Sequence, residues 1–428
     1  MTVKTEVQSM DGGEPRVRVR EPLANSEFRG IIFAQVASEA GDQIARVAIA
    51  LLVLAHTGSA LLSAATFAVS FIPTFLGAAL LGPIADRFSR RNLMLGADLG
   101  RAIVIGVMAL VAIPSTPVWL LFALLILAEF FTPLFDSARS AAIPDILGDR
   151  DLVTAGLGLS RSLHLINQAV GLIVGGFLVQ LASPRVALTI DAMSFLVSFG
   201  LLAVFLARRP AMLEPPSGIS VLLRDLREGW ELLFADVSRR SLILLGWGMA
   251  VAIVAPEAVA LAYVRDQGWG DAWGGILMAA VIVGAAIGSL VVAAQTVNLQ
   301  VDLLLPLAIA VCLPLLVTGL EPPRMVLVLL WVLSGCAQAF LVPLMSFTTM
   351  LTPNEHRGRV VGIASAGFAA LTALGYLMAG AIADATSPAF AVVVMAVIGL
   401  AVASIGFLTW PTTRLRTDLS NLDSHFTS

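Results

Sequence analysis

The segment Gly82-Pro83-Ile84-Ala85-Asp86-Arg87-Phe88-Ser89-Arg90-Arg91 places one acid and three arginines between two strongly apolar stretches, Leu61–Leu81 and Leu93–Ile113. An α-helix needs about 20 mostly apolar residues to cross the hydrocarbon core of a bilayer. Both stretches are long enough, so the segment is predicted to be a short charged loop that joins two membrane-spanning helices.

The composition of the whole chain also indicates a membrane protein. Of its 428 residues, 58% are hydrophobic and 13% are charged, and the mean hydropathy is +0.91. The charged share is about half that of a typical soluble domain, too small to cover the surface of a water-soluble fold. The chain holds twelve candidate spans, six within residues 30–207 and six within residues 241–410. We therefore expect an all-α membrane protein with twelve transmembrane helices.

The distribution of basic residues predicts the orientation of these helices. Arginines concentrate in the loops of one side, while only Arg185, Arg265 and Arg324 fall on the other side. Basic loops stay in the cytoplasm, so both termini are expected there. Residues 1–29 lack the apolar core of a signal peptide, and they and residues 411–428 are predicted to be cytoplasmic tails. The preference for arginine over lysine is typical of a bacterium rich in G and C, which places the protein in the bacterial inner membrane.

The longest polar stretch, residues 208–240, separates the two sets of six spans. Its second part, Val221–Val237, has the pattern of an amphipathic helix on the inner membrane face. A short repeat supports two halves, because Pro133-Leu134 and Pro343-Leu344 each stand in the fourth span of their set. The sequence therefore predicts an N-terminal six-helix bundle, a cytoplasmic linker and a C-terminal six-helix bundle.

Several classes of protein are excluded by what the chain lacks. Its only lysine is Lys4, so no Walker A loop can form. The two cysteines and four histidines are scattered, which predicts no metal site. A net charge of -3 gives no reason to expect a nucleic-acid partner. We expect no catalytic residues, no cofactor and no enzymatic activity.

The charged loop resembles motif A of the major facilitator superfamily, a glycine followed by Ala-Asp-Arg and two basic residues. Gly82, Asp86, Arg87, Arg90 and Arg91 match the motif in letters and in place, because the loop lies between the second and third spans. Serine stands at position 89, where the family usually has glycine. The resemblance implies two pseudo-symmetric six-helix bundles that rock between two states.

In this superfamily the motif closes the inner side of the transporter. The resemblance implies that Asp86 faces the N-terminal end of span eleven, near Val361, where the helix dipole is positive. The arginines would pair with Asp136 at the cytoplasmic end of span four. We call this predicted arrangement the clip. The alternative is a basic loop that only sets the topology.

Three further segments resemble the drug:proton antiporters that include macrolide and multidrug exporters and the enterobactin exporter. They are Asp136-Ser137-Ala138-Arg139, Ala97-Asp98-Leu99-Gly100-Arg101 and Gly41-Asp42-Gln43 with Arg46. Asp98 and Arg101 are expected near the inner surface, where they would support the clip. Span five lacks the proline of the Gly-Pro antiporter motif, so that motif is not present as a simple copy.

Charged residues inside the spans are candidates for the transport site, since a charge near the bilayer centre costs about 3 kcal/mol or more. Glu39, Asp42 and Arg46 share one face of span one, Glu129 lies mid-depth in span four, and Glu257 lies in span seven. By resemblance these spans line the central cavity. The alternative for Asp42 and Arg46 is a purely structural ion pair.

Span five also carries polar residues at helical spacing, among them Arg161 and His164. These two are expected to be structural and to hold span five against span four.

Three functions remain open at this point. The first is a proton-coupled exporter of amphipathic drugs or a natural product, driven by the proton motive force. The second is an importer or dedicated exporter of one metabolite, siderophore or lipid. The third is a membrane sensor or scaffold without transport. We expect the first, with a small amphipathic molecule and protons as ligands, lipid around the bundle, and a monomeric protein. Either Glu129 or Asp42 is predicted to carry the coupling proton.

Overall fold

The computed structural model describes residues 21–73, 88–113, 115–209, 219–353 and 355–427. Helices account for most of these residues, and no strand occurs among them. The first six helices are α1 (Ser26–Thr57), α2 (Ala60–Val69), α3 (Arg90–Val111), α4 (Val118–Leu147), α5 (Arg150–Leu181) and α6 (Pro184–Phe205). They are followed by α7 (Ile219–Ala235), α8 (Val237–Asp266), α9 (Ala272–Ala293), α10 (Val297–Leu320), α11 (Arg324–Met350), α12 (Arg357–Ala385), α13 (Pro388–Thr409) and α14 (Thr412–Thr427).

In the described residues, ten helices are long and apolar enough to cross a membrane. They are α3 to α6 and α8 to α13. Helix α1 spans 32 residues, and α2 is a shorter apolar helix that runs toward the undescribed residues 74–87. The prediction of an all-α membrane protein is confirmed. The helix α7 lies where the amphipathic linker helix is predicted.

Local sequence signals set the ends of the helices. The Asn25 side chain accepts hydrogen bonds from the first free N–H groups of α1, and Ser59 and Ser89 do the same for α2 and α3. Gly58 ends α1 with a φ of 68°, a left-handed conformation that glycine adopts without strain. Asp149 begins α5 in the same manner. Short polar turns therefore allow the chain to reverse direction between long apolar helices.

Helices α4 and α11 break near their midpoints. α4 consists of two segments that meet at Phe130, and α11 contains a 3₁₀ turn at Gln338–Phe340. A proline follows each break, Pro133 and Pro343, and proline has no N–H to donate to the carbonyl four residues earlier. For Pro133 that carbonyl belongs to Glu129. The repeated Pro-Leu pairs therefore mark equivalent breaks, and one of them positions a charged residue at mid-depth.

The helices pack in two sets. In the first set α1 lies against α5 and α6, and α3 lies against α6 and α4. In the second set α9 lies against α11, α10 against α13, and α8 against α12 and α13. The two sets meet mainly along the pairs α5–α9 and α2–α12.

Two names are useful for the ends of the bundle. The basic end is the end at which α1, α3 and α5 begin, with Arg29, Arg90 and Arg150. The far end is the end at which those helices finish.

Glycines allow the closest helix packing in the second set. Gly284 and Gly288 of α9 lie against the backbone of α11, where an added Cβ at Gly284 would contact the Val332 carbonyl oxygen and lie 2.9 Å from the Cys336 nitrogen. Gly335 of α11 packs in the same way against α9. Such close approach of helices is common where small residues meet in membranes.

We expect Gly284→Ala to lower the stability of the folded protein by about 1–3 kcal/mol, because the methyl group must displace a backbone. The measurement is the thermal unfolding temperature of the detergent-solubilised protein. The matched control is Gly106→Ala in α3, where an added Cβ meets no atom within 4 Å. Equal unfolding temperatures for both variants would contradict the packing.

Candidate functional site

Charged side chains from five helices gather near the middle of the first helix set. We call them the charged cluster, and its members are Glu39, Asp42, Arg46, Asp98, Arg101, Glu129, Asp136, Arg139, His164 and Asp191. The sequence analysis identified all of them except Asp191 as candidate site residues. These residues are far apart in the sequence. The packing of α1 against α5 and α6, and of α3 against α4 and α6, brings them together.

Arg46 binds Glu129 by two hydrogen bonds. Its Nη2 lies 2.9 Å and its Nε 3.2 Å from the same carboxylate oxygen, Oε1. The other oxygen accepts a hydrogen bond from Thr132 Oγ1 at 3.3 Å. This pair joins α1 to the break in α4, so a change in the charge of Glu129 acts directly on the packing of these two helices.

Arg139 and Glu39 form a second pair between the same helices. Arg139 Nη1 lies 2.8 Å from Glu39 Oε1, and its Nη2 lies 3.0 Å from Asp136 Oδ1. The second oxygen of Glu39 accepts from Asn167 Nδ2 at 3.3 Å and lies 3.4 Å from His164 Nδ1. Glu39 therefore links α1, α4 and α5.

Arg101 is the deepest arginine of the cluster, with only 3% of its surface exposed. Its Nη2 donates to Asp98 Oδ1 at 2.7 Å, and its Nη1 lies 3.7 Å from Asp42 Oδ2. The guanidinium also stacks between Phe135 and Phe195, 4.8 and 4.3 Å from their ring centroids. Ser198 donates to the other oxygen of Asp98 at 2.6 Å. Because Arg101 already donates a short hydrogen bond to Asp98, its longer contact with Asp42 is the weaker of the two.

The charges of the cluster do not balance. Among the described residues, its six carboxyl groups face three guanidinium groups and one histidine. An unpaired charge in a low-dielectric site is strongly disfavoured. The cluster is therefore a place where carboxyl groups can hold protons, and it provides more carboxyl sites than its arginines can neutralise.

The cluster lines two adjoining cavities. One is bounded by Glu39, Asp42, Arg46, Asp136 and residues of α3 and α5. The other is smaller and continues from Asp42 and Arg46 toward Glu129 and Asp191. Asp136 is half exposed and lies on the basic-end side of Glu129 in α4, so the larger cavity opens toward the basic end.

Glu257 lies apart from the cluster, in the second helix set. It follows Pro256 at the start of the second segment of α8 and lies beside Tyr376 of α12. Tyr376 stacks on Phe67 of α2 with a centroid distance of 5.7 Å. Glu257 therefore belongs to the interface between the two sets.

Part of the motif A segment lies outside the described residues, namely Gly82, Asp86 and Arg87. Arg90 forms an ion pair with Asp145 and donates to the Ala141 carbonyl at 2.6 Å. Arg91 donates to the Ala203 carbonyl at 2.7 Å.

The expected partner of these arginines, Asp136, is bound to Arg139 instead. The reason is distance along α4, because Asp145 lies nine positions nearer to the basic end, where α3 begins.

Two other expectations about ion pairs are corrected. Asp98 and Arg101 are not surface residues that support the clip but the buried centre of the cluster, at 0% and 3% exposure. The alternative of an Asp42–Arg46 ion pair also differs from the structure, in which Arg46 binds Glu129. Both differences arise because α3 and α4 bring charges to α1 that its own sequence cannot reveal.

The predicted role of Arg161 and His164 is also corrected. His164 contacts Glu39 of α1 and not α4. Arg161 is exposed, and no described residue forms an ion pair with it. Helix α5 lies along α1 because Gly171 and Gly175 of α5 pack against its backbone.

At the far end the two helix sets are joined by hydrogen bonds. Asp384, at the end of α12, accepts from Ser59 Oγ at 2.5 Å and from the Ala60 and Leu61 N–H groups at 2.5 and 3.2 Å. The carboxylate thus caps the N-terminus of α2, where the helix dipole favours an anion. We call this the Asp384 contact.

Two further hydrogen bonds join the helix sets at the same end. Arg265 donates to the Leu54 carbonyl at 2.8 Å, and the Ala272 N–H donates to Gln180 Oε1 at 2.9 Å. Among the described residues, the hydrogen bonds that join the two sets thus lie at the far end, while the larger of the two cluster cavities opens toward the basic end.

A helical bundle of membrane-crossing length with a buried charged cluster defines a membrane transporter. Residues 19–425 match the family model described as transmembrane secretion effector, within the major facilitator superfamily. The chain belongs to this family, which confirms the resemblance predicted from motif A. It is a transporter and not an enzyme.

The relatives of the chain include proteins named as efflux pumps. Over 365 residues it is 24% identical to the multidrug efflux pump Tap of Mycolicibacterium fortuitum, an alignment that covers 83% of this chain and 88% of Tap. Over 222 residues it is 25% identical to macrolide efflux protein A of Streptococcus pyogenes, covering 51% of this chain and 54% of that protein.

Among solved structures, the crystal structure of the peptide transporter POT in complex with sulfate has the same fold. Its TM-score is 0.71 at 15% sequence identity, and the superposition covers 93% of this chain and 99% of POT.

Two residues of the charged cluster and the far-end contacts, Asp191 and Asp384, were not found by sequence reasoning. Asp191 stands in the apolar span Val186–Ala207, where a lone acid was a sufficient signal by the same argument that selected Glu129. Asp384 follows a long apolar helix and looks like an ordinary loop residue. Its role depends on the start of α2, 324 residues away from it at Ala60, and no local pattern reveals it.

We expect Arg101→Met to destabilise the protein by about 3–5 kcal/mol, because it leaves the buried carboxyl of Asp98 without its cation. The double variant Arg101→Met/Asp98→Asn should recover part of that loss. Thermal unfolding in detergent measures both effects.

The control for this cycle is Arg227→Met, which breaks an exposed pair with Glu231 in α7. Such a pair contributes at most about 0.5 kcal/mol. If Arg101→Met is no more destabilising than this control, the cluster does not hold the first helix set together.

Proposed function

We propose that this transporter is a proton-coupled exporter that exchanges amphipathic drugs or a natural product for protons. It lies in the bacterial inner membrane as a monomer surrounded by lipid, with the basic end and both termini in the cytoplasm. Twelve spans form two six-helix bundles, residues 30–207 and 241–410, joined by the linker 208–240. The proton motive force supplies the energy, and no cofactor is needed.

The observation that carries this proposal is the excess of carboxyl groups in the charged cluster. A transporter that exchanges its substrate for protons needs a buried acid that is protonated in one state and ionised in another. Six carboxyl groups against three guanidinium groups provide such a site at mid-depth, beside a cavity that opens toward the basic end. The names of the relatives, multidrug and macrolide efflux proteins, support amphipathic drugs as the substrate class.

Alternating access is the second part of the proposal. We infer that the far-end contacts hold the outer side shut and that this arrangement is the state open to the cytoplasm. In the opposite state the clip, with Asp86 at the N-terminus of α12, closes the inner side and the Asp384 contact is broken. In each state one acid then lies at the N-terminus of a helix of the same pair. Asp384 lies at that of α2 in one state, and Asp86 at that of α12 in the other.

Asp42 and Glu129 are the proposed coupling residues, and their surroundings favour Asp42 as the proton carrier. Glu129 accepts two hydrogen bonds from Arg46. Asp42 lies 3.7 Å from Arg101, which already donates a hydrogen bond to Asp98. Protonation of Asp42 therefore removes less stabilisation than protonation of Glu129. Release of Arg46 when Glu129 is protonated would loosen α1 from α4.

The test of the function is a resistance panel in an efflux-deficient bacterial host that expresses the protein, with ethidium and erythromycin as probes. Expression should raise the tolerated concentration of at least one probe, and a protonophore should abolish the associated efflux. Efflux that continues at an unchanged rate with the protonophore would contradict proton coupling.

We expect Asp42→Asn and Glu129→Gln to reduce transport driven by an imposed pH gradient by about tenfold or more, since neither side chain can then bind and release a proton. The measurement is ethidium flux in proteoliposomes. Because both substitutions keep the shape of the side chain, binding of ethidium should persist.

Glu321→Gln is the matched control for these variants, since Glu321 is an exposed acid that hydrogen-bonds with Gln267 at the far end. It should transport like the unchanged protein. Full pH-driven transport in both the Asp42→Asn and the Glu129→Gln variants would exclude these residues as proton carriers.

We expect Asp384→Asn to shift the protein toward the state open at the far end, since the helix N-terminus loses its anion. The loss is about 1 kcal/mol, which changes a two-state ratio about fivefold. Spin labels at Ala55 and Ala385, with both native cysteines replaced by alanine, report the distance across the far end. A distance distribution identical to that of the unchanged protein would contradict the role of the Asp384 contact.

A further inference from the structure

Asp191 is the carboxyl of the cluster whose charge is least compensated. It lies in α6 with 0% of its surface exposed, and no ion pair reaches it from the described residues. Ser194 Oγ lies 3.3 Å from its Oδ1. The second oxygen, Oδ2, is buried and has no hydrogen-bond partner there.

A glycine in α1 makes room for this carboxyl. An added Cβ at Gly41 would contact Asp191 Oδ1 and Ser194 Oγ and would lie 3.0 Å from Ser194 Cβ. Asp191 is therefore packed directly against the backbone of α1, beside the residue that precedes Asp42. The two carboxyl groups line the same small cavity.

The charges around Asp191 come from three helices. From α1, α3 and α4 they are Asp42, Arg46, Arg101 and Glu129. The two arginines already bind other acids, Arg46 with Glu129 and Arg101 with Asp98.

Arg46 and Arg101 share the cavity with Asp191, but no described arginine forms an ion pair with it. A carboxyl that holds a proton has one O–H to donate. The unpartnered Oδ2 is consistent with such a donor.

We propose that Asp191 and Asp42 form a carboxyl pair that holds the coupling proton jointly. The proton moves between the two groups, so that one carboxyl is neutral while the other is ionised, and no further reactant is involved. Asp42 lines both cavities and exchanges this proton with the cavity that opens toward the basic end. The inference rests on the proposed proton coupling and adds Asp191 to its machinery.

This pair explains why the proton can stay in the protein while the substrate site changes. Two like-charged carboxyls at one site cannot both ionise readily, so one proton is retained. Arg101, which contacts Asp42, links the pair to Asp98 and α3.

The test is infrared difference spectroscopy of the purified full-length chain between acidic and alkaline buffers. The C=O stretch of protonated carboxyl groups reports each acid that titrates. Asp191→Asn should remove a band of a buried protonated carboxyl, and Asp42→Asn should shift that band because the partner is lost. The control Glu321→Gln, at an exposed acid of the far end outside the cluster, should leave it unchanged. A merely structural role of Asp191 would lower the unfolding temperature without moving the band.

The proposed carboxyl pair would be overturned if the band persisted unchanged in Asp191→Asn, or if it did not shift in Asp42→Asn. Should Asp191→Asn fail to fold, Ser194→Ala removes only the hydrogen-bond partner and must shift the same band, and an unshifted band then overturns the proposal. These spectra need no substrate, so they test the pair even if ethidium is not transported.

In proteoliposomes, Asp191→Asn should lower pH-driven ethidium flux about tenfold with an unchanged ethidium Kd. If the unchanged protein is coupled and Asp191→Asn is equally coupled, this inference fails and the proposed function stands. If the unchanged protein shows no coupling, the proposed function fails.

Discussion

Three buried guanidinium groups hold the first helix set together. Arg46 and Arg139 each join α1 to α4, and Arg101 joins the centre of α3 to α1 through Asp42. In a low-dielectric interior such pairs are strong only while both partners are charged. Helix packing in this set therefore depends on the protonation of the carboxyl groups, which is the physical link that a proton-driven transporter needs.

The same dependence extends to the interface between the two sets. α2 and α12 meet at the far end through the Asp384 contact and along the aromatic contact of Phe67 with Tyr376. Glu257 lies beside Tyr376 and so borders that interface. Helix α1, which carries three members of the cluster, packs against α2, and α2 is the helix that the Asp384 contact holds. The cluster and the far-end closure are therefore joined by continuous packing.

Much of the fold could be predicted from the sequence. The bilayer requires apolar stretches of about twenty residues, and basic loops stay on its cytoplasmic side. Motif A indicated the superfamily. The acids of span one were identified because charged residues are rare inside a membrane. The pairing was not predictable. Arg46 binds Glu129, and His164 binds Glu39, because α1 is central in its helix set.

The remaining differences have the same origin. Asp98 and Arg101 were expected near the inner surface from their place in span three, but the packing of α3 against α6 buries them beside Ser198. Asp191 is a lone acid in an otherwise apolar span, where a charged residue is itself a signal of function. Contacts between distant helices follow from packing that no single span encodes.

The most direct test of the account is reciprocal flux in sealed proteoliposomes that contain the purified protein, an entrapped pH indicator and a gradient of ethidium, with no initial pH difference. Exchange of drug for protons requires that downhill movement of ethidium drive protons the other way and create a pH difference that a protonophore dissipates. Ethidium movement without any protein-dependent pH change would contradict the central claim.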